Sequence, residues 1–298
     1  MDMILASIWA FHGMKNYILS NIWILSLWRG AKQFNRKNGW VMSSHIAMSM
    51  MLALFPFVLF TVALAGTLAK LFSQSVDLDH LVNLVFGNWP EPVATPILAE
   101  LDAVLATSNT GLITLGAVFA LYFASNGVNA VRLAMVQAYH DEDARPYWKV
   151  RLLSIGFVIL GGIGILIAAL FEVILPLYLH YLADFFPALQ LTDYVTPGLH
   201  GLVAALLPFG AVFLCHLLLP GHMHRLSHIL PGTVLTVALW WAAGIGFAFY
   251  VGSIAQYSAT YAGLAGAMAA MIFLYVNAVI LIFGAEFNSA MIDLRTPD

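Results

Sequence analysis

The stretch YFASNGVNAVRLAM, residues 122–135, starts as a hydrophobic membrane-type run and then places Asn126, Asn129 and Arg132 at intervals of three. On an α-helix that spacing gathers the three side chains on one face. Two amides and a guanidinium are expensive against acyl chains, so this face is expected to turn toward neighbouring helices. Whether the rest of the chain supplies such neighbours decides the fold.

It does. The chain has 298 residues, 61% of them hydrophobic and only 9% charged, with a mean hydropathy of +0.88. A soluble domain carries about 25% charged side chains, so the composition reads as an all-α polytopic membrane helix bundle. The net charge of −3 carries little information beside the distribution of charge along the chain. Cys215 is the only cysteine, which excludes an intramolecular disulfide framework. The N-terminus lacks the charged start of a secretory signal, because Lys15 is its first basic residue and follows Ile4, Leu5, Ile8 and Trp9. Residues 1–43 are expected to form an amphipathic, interfacial cytoplasmic segment anchored by tryptophans. Residues 44–292 would form the transmembrane domain, and 293–298 a short cytoplasmic tail.

A bilayer core of about 30 Å needs roughly 20 helical residues. Six windows qualify, near 44–69, 111–135, 152–178, 198–219, 229–252 and 262–287. With the N-terminus inside, the inner segments hold Lys15, Arg29, Lys32, Arg36, Lys37, Arg145, Lys149, Arg151, Arg225 and Arg295, and Arg132 sits at the inner end of its span. Only Lys70 falls outside, where the first loop is acidic. This asymmetry predicts that both termini of the six-span arrangement face the cytoplasm.

Inside the spans, Pro56 and Pro208 each remove a backbone donor and are candidate kinks. Gly263/Ala267 and Gly266/Ala270 form small-xxx-small pairs suited to close helix packing. Arg132 follows 21 uncharged residues and Glu286 follows 25, both counted from the outer side, so they reach similar depth near the inner boundary. Either they pair across the bundle, with Asn129 or Asn288 satisfying leftover groups, or each snorkels to the cytoplasmic headgroups. Glu172 lies 20 uncharged residues beyond Arg151, near the outer boundary. It either lines an outward pocket with His180 or His200 or reaches the outer headgroups. The polar stripe of 126–132 is expected to point to where the second and last spans meet.

Evidence of catalytic chemistry is sparse. His222, His224 and His228 in GHMHRLSH bring three imidazoles together, but no nearby cysteine or carboxylate completes a metal set in sequence. The chain has no phosphate-binding loop, no HExxH, no GxSxG and no CxxC pair. The expectation is a protein without cofactor, metal or catalytic residues. The basic residues are those that topology requires, so nucleic acid is not an expected partner.

Several stretches resemble the YihY/BrkB family of bacterial inner-membrane proteins. They are ALFPFVLF (53–60), ITLGAVFALYFASNGVNAVRLAM (113–135), RPYWKVRLLSI (145–155), ILPGTVLTVALWW (229–241) and AGLAGAMAAMIFLYVNAVILIFGAEFNSAM (262–291). The closing signature is Gly284, Ala285, Glu286 and Asn288. The resemblance implies six spans with both ends inside and a transporter-like role, one branch being linked to serum resistance and virulence. It brings no agreed catalytic or substrate residues, and the ribonuclease label its members long carried finds no acid–base set here. The functional expectation is therefore a transporter-like protein moving a small solute, amphiphile or lipid through a polar-lined cavity. The alternative is a structural or partner-binding envelope protein. Membrane lipids, a second copy of the chain or an envelope protein are the expected partners.

Overall fold

The computed structural model describes residues 22–72, 110–185, 191–254 and 264–295, with side chains described for 22–64, 116–168, 205–250 and 266–295. These residues form α1 (Ile22–Arg36), α2 (Gly39–Phe72), α3 (Thr110–Ala138), α4 (Tyr147–Phe185), α5 (Leu191–Leu218), α6 (Leu226–Ile254) and α7 (Leu264–Arg295). The protein is a bundle of long apolar helices. The described parts of α2, α4, α6 and α7 include apolar stretches long enough to cross a membrane: Gly39–Leu64, Tyr147–Ala168, Leu226–Tyr250 and Gly266–Arg295. A shorter apolar helix, Ala205–Leu218, belongs to α5.

Each helix from α2 to α7 packs on the next, and α7 returns to α2, so the helices close a ring. Both α2 and α3 also reach across it, to α4 and to α7 and α5 respectively. Apolar side chains cover the outside, with Phe249 78% and Trp241 77% exposed, as befits surface facing acyl chains. Inside, Ile46, Met135, Val212, Leu219, Ile229 and Leu281 belong to one buried cluster.

The amphipathic α1 lies outside the ring against α7. Ser26, Gly30 and Phe34 recur every fourth residue and are its buried positions. The small residues let the backbones approach, and a Cβ on Gly30 would stand 3.2 Å from the Phe287 backbone. The Trp23 and Phe287 rings lie 6.0 Å apart beside this crossing. Between α1 and α2, Asn38 takes a left-handed φ of 57°, a conformation asparagine tolerates. Its carbonyl then accepts from Val41 and Met42 N–H at 2.9 and 3.0 Å and starts α2. Gly39 follows because the Phe34 ring occupies the space of a side chain, 2.5 Å from where a Cβ would be.

The α2 helix runs through Pro56, and Pro208 lies within α5. Pro231 sits inside α6 and precedes the closest helix crossing among the described glycines. A Cβ on Gly232 would overlap the Gly284 carbonyl and stand 2.5 Å from Asn288 Cγ, while one on Gly284 would overlap Thr236 Oγ1. Glycine at both positions is what lets α6 and α7 touch backbone to backbone.

Gly284→Ala is therefore expected to lower stability by about 1–3 kcal/mol through overpacking. Adding Thr236→Ala removes the obstructing hydroxyl and should recover part of the loss. Thermal unfolding of the detergent-solubilised variants checks this; equal melting of Gly284→Ala and wild type would refute the close crossing.

Candidate functional site: a polar layer at the basic end

One end of the bundle gathers the α1–α2 turn, the α3–α4 and α5–α6 connections and the C-terminal turns of α7. Three linked clusters of polar side chains close it.

The first centres on Lys37. Its ammonium donates to Glu286 Oε2 at 2.9 Å, Ala138 O at 2.9 Å and Gln137 O at 3.1 Å. Those bonds use all three ammonium donors. The two carbonyls belong to the last turn of α3, where positive charge complements the helix dipole. Gln137 Nε2 returns a bond to Lys37 O at 3.1 Å. Glu286 is 1% exposed, so its carboxylate needs this partner. Burial pulls the Lys37 pKa below its ordinary value, and the attraction of Glu286 opposes that.

The end of α3 is shaped to receive the lysine. His140 takes a left-handed φ of 57°. His140 N–H donates to Gln137 O at 3.3 Å and Asp141 N–H to Val136 O at 3.1 Å, the pair of bonds that makes a Schellman cap. Glycine is usual at such a position; here the imidazole puts Nδ1 3.3 Å from Lys37 Nζ and 3.1 Å from Ser289 Oγ. Burial, then the neighbouring Lys37 charge, lowers the His140 pKa.

The second cluster answers the polar stripe of α3. Asn126 Oδ1 accepts from Arg151 of α4 at 2.8 Å, and that guanidinium lies 3.6 Å above the Tyr122 ring. Asn129 Oδ1 accepts from Arg132 Nε at 3.1 Å. Arg132 pairs with Asp143. The same carboxylate takes Arg145 Nε at 2.7 Å, Arg145 Nη2 at 2.9 Å and the Arg145 N–H at 3.1 Å. Arg145 also caps α5, donating to Leu218 O at 3.1 Å and Leu219 O at 2.9 Å. The hydrogen bond from the Arg145 side chain, more than the charge of either arginine, holds the Asp143 pKa below its ordinary value.

The third cluster is the most enclosed. Asn288 of α7 accepts from Gly232 N–H at 2.6 Å and donates to Ile229 O at 2.9 Å and to Tyr139 Oη at 2.9 Å. Tyr139 Oη lies 2.7 Å from His216 Nδ1. Burial pushes the Tyr139 phenol well above its ordinary pKa, so it stays protonated and donates to that nitrogen. The proton of His216 is then on Nε2, which is buried with no partner among the described residues, as is Thr236 Oγ1. Tyr139 also stacks on His224, centroids 4.6 Å apart. His224 Nε2 and the His222 N–H lie 3.2 and 3.1 Å from Asp141 Oδ2. Gly221 permits that approach, since a Cβ there would meet Glu142 O at 2.8 Å.

The sequence-based expectations fare unevenly. Arg132 and Glu286 are both buried near one end, but they do not pair with each other. Glu286 takes Lys37 and Arg132 takes Asp143, because the turn and loop beside them bring closer opposite charges. The stripe of 126–132 is correspondingly satisfied from α4 and the α3–α4 connection rather than from the last span. Asn126 is exposed, Asn129 half-buried and Arg132 buried. Asn288 supports neither residue; it joins α6, α7 and the end of α3. The Glu172, His180 and His200 side chains, and the pair Gly263/Ala267, lie outside the described residues. His228 does not join His222 and His224 on Asp141, and among the described residues no group of three or more His, Cys, Asp or Glu is placed to hold a metal. Lys37, Asp143, Arg145, Tyr139, His216 and Gly232 went unrecognised in the sequence. Only the PG of ILPGT carried a usable signal, a helix-internal pair that breaks the ladder.

Lys37→Met leaves Glu286 buried without a counter-charge and should cost about 3–5 kcal/mol. The double variant Lys37→Met/Glu286→Leu should regain most of it, which a thermal-unfolding cycle measures. Asp143→Asn gives a pH signature. A lowered carboxylate pKa contributes stability that is present above the ordinary aspartate range and is lost as pH falls through the folded value. The stability gap between wild type and Asp143→Asn should therefore be full at neutral pH and close in acid. A gap independent of pH would refute the ion pairs.

Comparison with known proteins agrees with this architecture. The family described as virulence factor BrkB matches residues 31–298. The ribonuclease-like protein YfkH of Bacillus subtilis (strain 168) is 28% identical over 84% of this chain and 88% of its own length. A UPF0761 membrane protein of Alteromonas mediterranea is 23% identical over 87% of this chain and 85% of its own. One from Alkalilimnicola ehrlichii is 39% identical over 32% of this chain and 22% of its own. No solved structure matches the chain significantly. The match across nearly the whole length, joined to several membrane-crossing helices, makes this chain a multi-pass bacterial inner-membrane protein of the YihY/BrkB (UPF0761) family.

Proposed function

We propose that the protein is a non-enzymatic, transporter-like carrier of an amphiphile or lipid. In this reading it has six spans with both termini in the cytoplasm, and the polar layer closes the cytoplasmic end. The observation that carries the reading is the make-up of that layer. Its ion pairs and hydrogen bonds run between different helices and connections: Lys37 to Glu286, Arg145 to the end of α5, and Asn288 to Gly232 and Tyr139. Such contacts help to hold helices together among acyl chains. Interhelical polar contacts can also be broken and remade as helices move, and polar groups at membrane depth point to function by default. A catalytic role draws no support from the layer, because Glu286, Asp143 and Asp141 are each engaged by basic neighbours.

A structural or partner-binding role is the second reading. It is favoured by the saturation of Lys37 and by the burial of Arg132, 9% exposed.

Transbilayer movement of a fluorescent phospholipid analogue in proteoliposomes separates the two. The carrier reading expects wild type to exceed protein-free vesicles. Asn288→Leu, checked for folding by thermal unfolding, removes three hydrogen bonds and should change the rate by about tenfold or more, tenfold being the kinetic equivalent of one of them. Folded wild-type protein that leaves the rate at the protein-free level, with lipid analogues and other amphiphiles alike, would favour the structural role.

A further inference from the structure

Where α1 meets α2 and α7, an open groove of about 300 Å³ is lined by Ala31, Phe34, Asn35, Trp40, Val279 and Phe283. It takes no part in the polar layer. Its walls are apolar apart from Asn35, and it runs along α7 from Phe283, one turn from Glu286, to Val279, about 6 Å further along the helix. Beside it, Trp28, Ala31, Lys32 and Asn35 share one exposed face of α1 at helical spacing. Arg29, Lys32 and Arg36 form an overlapping basic face and are all exposed. Lys32 Nζ lies over the Trp28 ring at 5.3 Å, and Lys149 Nζ over Trp148 at 5.4 Å. Exposed Trp28, Trp40, Tyr147 and Trp148 thus ring this end together with lysines, the composition of a headgroup-level belt.

We propose that this groove is a binding site for one anionic phospholipid of the adjoining leaflet. An acyl chain lies along Phe34, Trp40, Phe283 and Val279, and the phosphate and acidic headgroup meet Lys32, beside Asn35 on α1, and Arg36 one turn further on. The occupant follows from place and charge. Its lining is apolar apart from Asn35, and the exposed cations Lys32 and Arg36 stand on α1, the helix that forms one of its walls. The inference concerns lipid recognition and stands whether or not the protein transports anything.

The test is native mass spectrometry of the full-length protein released from nanodiscs of mixed phosphatidylglycerol and phosphatidylcholine. Wild type should retain phosphatidylglycerol in preference to phosphatidylcholine. Ala31→Trp fills the groove from an exposed position and should abolish retention of both lipids. Lys32→Glu/Arg36→Glu should keep the groove yet reduce the phosphatidylglycerol preference by about fivefold or more per charge. Thermal unfolding of each variant reports folding, and Lys32→Gln/Arg36→Gln supplies a second measurement should the reversal fail to fold. Retention and preference unchanged in folded Ala31→Trp and in the charge variants would overturn the proposal. So would a change of oligomeric state in Ala31→Trp, which would assign the groove to a second copy. A cross-link from residues 1–21 to position 31 that excludes lipid would overturn it equally, by assigning the groove to the chain's own N-terminus.

Discussion

A buried carboxylate at the end of an apolar helix has to be neutralised, and the ammonium of Lys37 does so for Glu286 while capping α3. That requirement organises the described end of the bundle. Lys37 reaches its three acceptors only because Asn38 turns the chain back sharply, and only because Gly39 leaves room for the Phe34 ring. The acceptors are in place only because the cap that ends α3 leaves the Ala138 carbonyl open and one lone pair of the Gln137 carbonyl, which also accepts from His140 N–H, free for the lysine. One ion pair thus fixes α1, α2, α3 and α7 relative to one another.

Such links matter more here than in a soluble protein. In water, apolar burial itself favours a compact core; among acyl chains, a leucine loses little by facing lipid instead of a neighbour. Close packing and polar satisfaction then have to specify which helix faces lie inward. The Gly232–Gly284 crossing supplies the first, because backbones in contact gain dispersion that lipid cannot match. Asn288 supplies the second from the same place. Its amide fits the α6 backbone as a peptide group would, accepting from Gly232 and donating to Ile229. The helix-internal Pro231, which cannot donate, lies between those two residues.

The helical class was legible from composition alone, and the positions of most helices from the length of the uncharged runs. The paired groups were less so, for a physical reason. Sequence depth put Arg132 and Glu286 at one level and made them natural partners, but depth says nothing about azimuth around a ring of helices. Two charges at one depth can stand on faces that never meet, and short connections can supply nearer partners. Asp143 lies 11 positions from Arg132 along the chain, in a loop whose acidity reads as ordinary solvated sequence until its fold is known. Lys37 resembled one more inner-face cation of the positive-inside set. Its special role rests on the turn at Asn38, which no hydropathy pattern reveals. The stripe of 126–132 finds its partners in the neighbour reached by the shortest connection and in that connection itself, not in the last span.

The same short connection explains why the three clusters behave as one layer. Residues 137–145 supply a member to each: Gln137, Ala138 and His140 to the lysine, Asp143 and Arg145 to the arginine cluster, and Tyr139 to the asparagine cluster. They also hold the α5–α6 connection through Asp141. Consecutive residues cannot move independently over such distances, so a shift of α3 that breaks one set of contacts strains the others. Buried, partnered polar groups have few intermediate positions of tolerable energy, since a half-broken bond leaves a desolvated donor or acceptor. Opening the layer would therefore break several bonds together rather than one at a time. It is nearly complete, and in its most enclosed cluster His216 Nε2 and Thr236 Oγ1 are the buried groups left without a partner among the described residues.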